Sequence, residues 1–123
     1  MTIDQAIKSV DKLRPSGVAP FLMRGWLSQL DARIKTELYS KRVTTRDISF
    51  EPYTDETPGN TILLAPEAYS MLYIHWLCYN IDYNYGENER AYADMTHFNE
   101  VWSDLAAYVA RTYPSASSGH FVI

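Results

Sequence analysis

Residues 66–85 read PEAYSMLYIHWLCYNIDYNY, and the reading of this stretch decides the fold. At about 3.6 residues per turn, Tyr69, Leu72, Tyr73, Trp76 and Asn80 share one face. Met71, Ile74, Cys78 and Ile81 share another. A helix that is apolar on nearly every side is either the buried centre of a bundle or a membrane span. Glu67, His75, Asn80 and Asp82 interrupt it, so it lacks the roughly 18 consecutive apolar residues of a span. The expectation is a core helix over 66–85 that neighbouring elements must cover.

Those neighbours are legible on both sides. Thr2, Ile3, Asp4 and Gln5 have the form of a capping box, followed by the apolar stripe Ile3, Ala6, Ile7 and Val10. This predicts a short amphipathic helix over 3–13, ended by Pro15 and Gly17. Pro20 suits a first helical turn, and Phe21, Met23, Trp26, Leu27, Leu30, Ile34 and Leu38 make a stripe reaching about Tyr39. Arg24, Asp31, Arg33, Lys35 and Glu37 are expected mostly on the remaining faces. Past the central stretch, Gly86 breaks the chain, and a long helix is expected from about Glu87 to Thr112. Its stripe, including Tyr92, Met95, Phe98, Trp102 and Val109, should pack antiparallel on the central helix after so short a turn.

Residues 40–65 break the helical pattern. Short β-prone pieces (Val43 to Thr45, Ile48 to Phe50, Thr61 to Leu64) alternate with turn-rich ones around Pro52 and Pro58. A small hairpin and a long excursion both fit. At the other end, Tyr113 and Pro114 stop the last helix, a Ser-rich spacer follows, and His120, Phe121, Val122 and Ile123 close the sequence. The fold expected is all-α: a four-helix domain over 1–113, with a long, partly extended loop between the second and third helices. A flexible C-terminal tail over 114–123 completes it.

A length of 123 residues suits one domain with a real core. The single Cys78 allows no internal disulfide, and no basic–apolar leader opens the sequence, so the expectation is a chain made and kept in a reducing cytoplasm. The net charge of −4 hides an asymmetry: residues 1–46 carry +5 and residues 47–123 carry −9. Such a split lets the basic half of one copy meet the acidic half of the next.

Searches for chemistry return little. His75, Cys78 and His97 are the best metal-ligand candidates, but no second ligand pair stands at fixed spacing, and no metal or cofactor is expected. Cys78 lies mid-helix among apolar residues, where a thiol is inert, and no serine has the glycines of a nucleophile elbow. Asp82, Glu87, Glu89 and Asp94 cluster near the turn at Gly86, where capping the last helix, with Arg90 as a partner, is the simpler role. No catalytic residue and no enzyme activity are expected. The one basic stretch is Arg33, Lys35, Lys41, Arg42 and Arg46.

One resemblance organises these pieces. It begins with Ala6, Ile7, Val10, Asp11, Lys12, Leu13, Arg14 and Pro15, and continues through Trp26, Leu27, Leu30, Asp31 and Ile34. The centre carries Leu63, Leu64, Ala65, Pro66, Tyr69, Leu72, Tyr73, Trp76, Leu77, Ile81, Asp82, Tyr83 and Asn84. Gly86, Glu87, Arg90, Tyr92, Phe98, Asn99, Tyr113 and Pro114 follow. In this pattern of apolar positions and turns the chain resembles the bacteriophage head–tail connector proteins, also called adaptor or head-completion proteins. The resemblance implies a non-enzymatic, mostly helical virion protein, assembled in the host cytoplasm as a ring-shaped homo-oligomer at the head–tail junction. There it would meet the portal protein on one side and a tail or stopper protein on the other, with packaged DNA in the channel and no membrane. By resemblance, the loop and tail supply the contacts. The candidate contact residues are Arg33, Lys35, Lys41, Arg42, Arg46, Phe50, Tyr53, Phe121, Val122 and Ile123. The other reading is a small regulatory or nucleic-acid-binding helical protein that uses 33–46.

Overall fold

In a computed structural model, residues 1–116 are described. They form α1 (Ile3–Leu13), α2 (Pro20–Glu37), α3 (Met71–Asn84) and α4 (Asn88–Thr112), with single 3₁₀ turns at Tyr39–Lys41 and Glu67–Tyr69. The all-α, four-helix expectation holds, and no strand occurs among the described residues.

Helix α3 touches α1, α2 and α4, and it is the post around which they stand. Leu72, Tyr73, Ile74, Leu77, Cys78 and Ile81 are buried on several of its sides, as its all-round apolar pattern requires. Helix α4 runs back along it: Trp76 meets Phe98 with ring centroids 5.3 Å apart, His75 stacks on His97 at 5.4 Å, and Tyr69 meets Tyr108 at 5.3 Å. The hairpin between them closes at Gly86, whose φ of +74° costs a side-chain-bearing residue strain. The Gly86 N–H donates to Tyr83 O and the Glu87 N–H to Asp82 O, which satisfies carbonyls that the end of α3 would otherwise leave open.

The central helix begins later than the sequence pattern predicts. Glu67–Tyr69 make a separate 3₁₀ turn, and α3 starts at Met71. The incoming chain is tied to α3 by a side chain instead: the Ala65 N–H donates to the Tyr73 hydroxyl at 2.7 Å. Helix α2 also departs from its stripe. Phe21 of that stripe is exposed, whereas Met23, Leu27, Leu30 and Ile34 are buried.

Residues 40–65 are a long excursion rather than a hairpin. Their last part lies along the N-terminus of α1, with an antiparallel bridge between Thr2 and Ile62. Thr2 and Gln5 form the expected capping box. The loop adds two acceptors: Ile3 N–H donates to Thr61 O and Asp4 N–H to Gly59 O. The orphan donors of the α1 first turn are thereby taken up. At the other end, Val43 N–H donates to Pro114 O and Ala116 N–H to Lys41 O, so the chain stays paired beyond α4 as far as Ala116.

Candidate interaction surface

The long loop is fixed by a carboxylate that the sequence pattern placed off the apolar stripe. Asp31 is fully buried in α2. Its Oδ2 accepts from the Tyr53 hydroxyl at 2.5 Å and the Leu64 N–H at 3.1 Å, and its Oδ1 accepts from the Tyr73 hydroxyl at 2.6 Å. One side chain therefore ties α2 to α3 and to two points of the loop. Burial pushes the Asp31 carboxyl up, while the two tyrosine hydroxyls and the Leu64 N–H work against that rise. Burial and the adjacent Asp31 raise both tyrosine hydroxyls, which therefore remain donors. Tyr39 adds a bond to Leu64 O at 2.6 Å, and burial holds its hydroxyl up to about 12. Arg24 clamps the loop tip by donating to Thr54 O at 2.7 Å and Thr57 O at 2.6 Å.

A signal for Asp31 existed in the sequence. It stands four residues after Leu27 and three before Ile34, in register with the apolar stripe. A carboxylate in that register must find donors, because burying it without them is expensive.

The candidate contact residues fall into three groups. Arg33 lies with its guanidinium carbon 4.4 Å from the Trp102 ring centroid and pairs with Glu37 at 2.6 Å. Lys35 donates to Arg46 O at 2.5 Å, and Arg42 donates to Tyr113 O at 3.3 Å. Lys35 and Arg42 are thus held by the chain's own backbone carbonyls, while Arg33, Lys41 and Arg46 are exposed. Phe50 and Tyr53 form an edge-to-face pair at 5.4 Å beside a groove of about 500 Å³ that Pro58, Ile62 and Leu64 help to line. Tyr53 is anchored at both ends, through its hydroxyl to Asp31 and through its N–H to Ser28 Oγ. Phe121, Val122 and Ile123 lie outside the described residues.

A second polar cluster sits where α1 ends. Asp82 and Asp94, expected as exposed capping residues, are both buried. Arg14 bridges them, at 3.2 Å from Asp82 Oδ2 and 3.5 Å from Asp94 Oδ1, and Asp94 Oδ2 has no hydrogen-bond partner among the described residues. Burial, then the adjoining Asp82 carboxylate, push the Asp94 carboxyl up to about 7 against the pull of Arg14 and Arg90. Burial opposes the Arg14 charge, but the Asp82 hydrogen bond and the surrounding acids raise its pKa further. Cys78 lies within reach of the same charges, and burial lifts its thiol to about 11. The pairing foreseen for Arg90 is present, with Glu87 at 3.5 Å. Asp82 and Asp94 instead answer to Arg14, which the chain order keeps far from them.

Two clefts flank this end of the bundle. One, of about 420 Å³, is lined by Leu13, Pro15, Ile81, Tyr85 and Arg90 among others; the next, of about 480 Å³, by Val18, Ala19, Leu22, Trp26, Asn84 and Tyr85. Tyr85 separates them and donates to Ser16 O at 2.7 Å. Among the described residues, no group of three or more His, Cys, Asp or Glu side chains is arranged to hold a metal ion. Among the same residues, no helix is long and apolar enough to cross a membrane. The chain matches no family model, no curated protein and no solved structure.

Proposed function

We propose that this chain is a structural virion protein, a head–tail connector that assembles as a ring and joins the portal to the tail or stopper. The observation that carries the reading is the placement of opposite charge on separate elements. Lys41 and Arg46 are exposed just past α2, whereas Glu89, Glu100 and Asp104 are exposed on α4. A basic site on one copy facing an acidic site on the next is a head-to-tail contact, and such contacts generate rings when the rotation closes. The deep anchoring of the 40–65 loop by Asp31, Arg24 and Tyr39 supports the reading. A contact element docks with less entropy loss when it is already held in place. The resemblance to connectors agrees with both points.

The nucleic-acid reading is weaker, because phosphate binding needs free cations and two of the five in 33–46, Lys35 and Arg42, donate to the chain's own backbone. Native mass spectrometry of the purified chain at low and high salt tests the proposal. The expected outcome is a single ring-sized oligomer at low salt that loses subunits as salt rises. A chain that stays monomeric at high concentration in both, and also with the portal present, sinks the reading.

A further inference from the structure

We propose that the groove along the 49–64 loop is a docking site for an extended segment of another protein, one in which apolar residues alternate with Lys or Arg. Phe50, Tyr53, Pro58 and Leu64 give the groove an apolar floor, and Ile62 beside them is 73% exposed. Glu51 and Glu56 belong to the same lining and are exposed, with Asp55 next to Glu56. Among the described residues these three carboxylates join no ion pair. The sequence offers them no near neighbour of opposite charge, because no Lys or Arg occurs between Arg46 and Arg90. Arg24 reaches the loop from α2, but it donates to Thr54 O and Thr57 O. An apolar floor bordered by unpaired acids is complementary to apolar side chains flanked by cations.

The backbone decides how such a segment lies. Ser49, Phe50 and Glu51 have no regular structure, and their N–H groups donate to nothing among the described residues. Open main chain beside an apolar groove suits strand addition, in which backbone hydrogen bonds hold the segment and its alternate side chains enter the groove. The wall is already fixed, since Tyr53 is held by Asp31 and Ser28 and the turn after it by Arg24. Docking therefore orders little of this chain. A second copy does not supply the segment. Its basic run at 41–46 is folded into turns, with Val43 N–H on Pro114 O, Arg46 N–H on Arg42 O and Ile48 N–H on Thr45 O. Arg14 is paired with Asp82, and the remaining Lys and Arg lie within helices. Residues 117–123 contain neither Lys nor Arg. The same carboxylates repel phosphate, so a nucleic acid does not fit either. The inference stands on this groove and not on the connector reading.

Titration of the full chain with a capped peptide of alternating valine and lysine, about six residues long, tests this by nuclear magnetic resonance. Amide shifts are expected at Phe50, Glu51 and Ile62, with binding that weakens as salt rises. Glu51→Lys combined with Glu56→Lys, both at exposed positions, should leave the circular dichroism unchanged and weaken binding about tenfold or more. Methylating the backbone nitrogens of the peptide should abolish the shifts, because it removes the donors of strand pairing and no charge. Shifts centred instead on Glu89, Glu100 and Asp104 of α4, equal binding of the methylated peptide, or no shifts up to about 1 mM peptide would each overturn the proposal. So would a peptide of residues 40–48 that binds here while the alternating one does not, since the occupant would then be a second copy. A chain that stays monomeric at both salts and with the portal present, yet binds the peptide here, removes the connector reading and leaves this inference standing.

Discussion

Asp31 and Asp94 are both buried carboxylates in helices of one small bundle, yet they stand in opposite conditions. Asp31 receives two hydroxyls and a backbone N–H, and all its donors are neutral. Asp94 has a single long contact to Arg14, an oxygen without a partner, and a second carboxylate beside it. Burial thus yields a fastener in one place and a stored cost in the other. The difference lies in the donors, since a desolvated carboxylate stabilises a fold only to the extent that hydrogen bonds replace its water.

The comparison breaks first at Asp31. Asp31→Ala would leave the Tyr53 and Tyr73 hydroxyls and the Leu64 N–H without an acceptor, at about 1–3 kcal/mol for each donor that stays buried. Some of them will reach water as the loop loosens, so the expected loss of unfolding free energy in urea is about 3–5 kcal/mol. Hydrogen exchange should rise over 46–64 more than in α4. A loss under about 1 kcal/mol would show that the loop does not depend on Asp31.

Asp94 should answer in the other direction. Its folded-state carboxyl keeps a proton up to about 7, whereas an unfolded aspartate releases it near about 3.9. The folded state therefore binds the extra proton between those values, and stability falls as pH rises from about 4 to about 7. Asp94→Asn stays neutral throughout and keeps a polar group opposite Asp82. The raised value already includes the pull of Arg14, and discounted for solvent screening the variant should gain about 1 kcal/mol at pH 8 and little at pH 5, measured as the shift in urea midpoint at each pH. Destabilisation at both pH values would mean that the Arg14 contact outweighs the stored cost.

The smallest expected effect sharpens the comparison. Gly86→Ala forces an alanine into φ near +74° and should cost about 1 kcal/mol. Because this turn aligns α3 with α4, the substitution should lower stability equally at pH 5 and pH 8, without altering the pH dependence that Asp94 imposes.

Much of the fold was legible because helix signals are local. The capping box at Thr2 and Gln5, Pro20 at a helix start and Gly86 at a helix end each act within a few residues, and all appear as predicted. The α3 start was misread because Pro66 is a good first-turn residue, while the Ala65 N–H at that start is taken by the Tyr73 hydroxyl, a side chain eight residues further on. The site was less legible. Phe50, Tyr53 and the cations of 33–46 were visible as residue types, but nothing in their spacing separates Lys35 and Arg42, held by backbone carbonyls, from exposed Arg33, Lys41 and Arg46.

Residues 66–85 announced by their own periodicity a helix that must be buried, and the stripes on either side announced what would cover it. That much is fixed by sequence alone, because apolar repeats at helical spacing bury only one way. Which polar groups would be trapped in that interior, and with what partners, was decided by the tertiary structure. Arg14 meets Asp82 and Asp94 across 68 and 80 positions of chain, and Asp31 meets Tyr53, Leu64 and Tyr73 across 22, 33 and 42. Hydrogen bonds act over a few ångströms, so their partners are set only once packing has brought distant segments together.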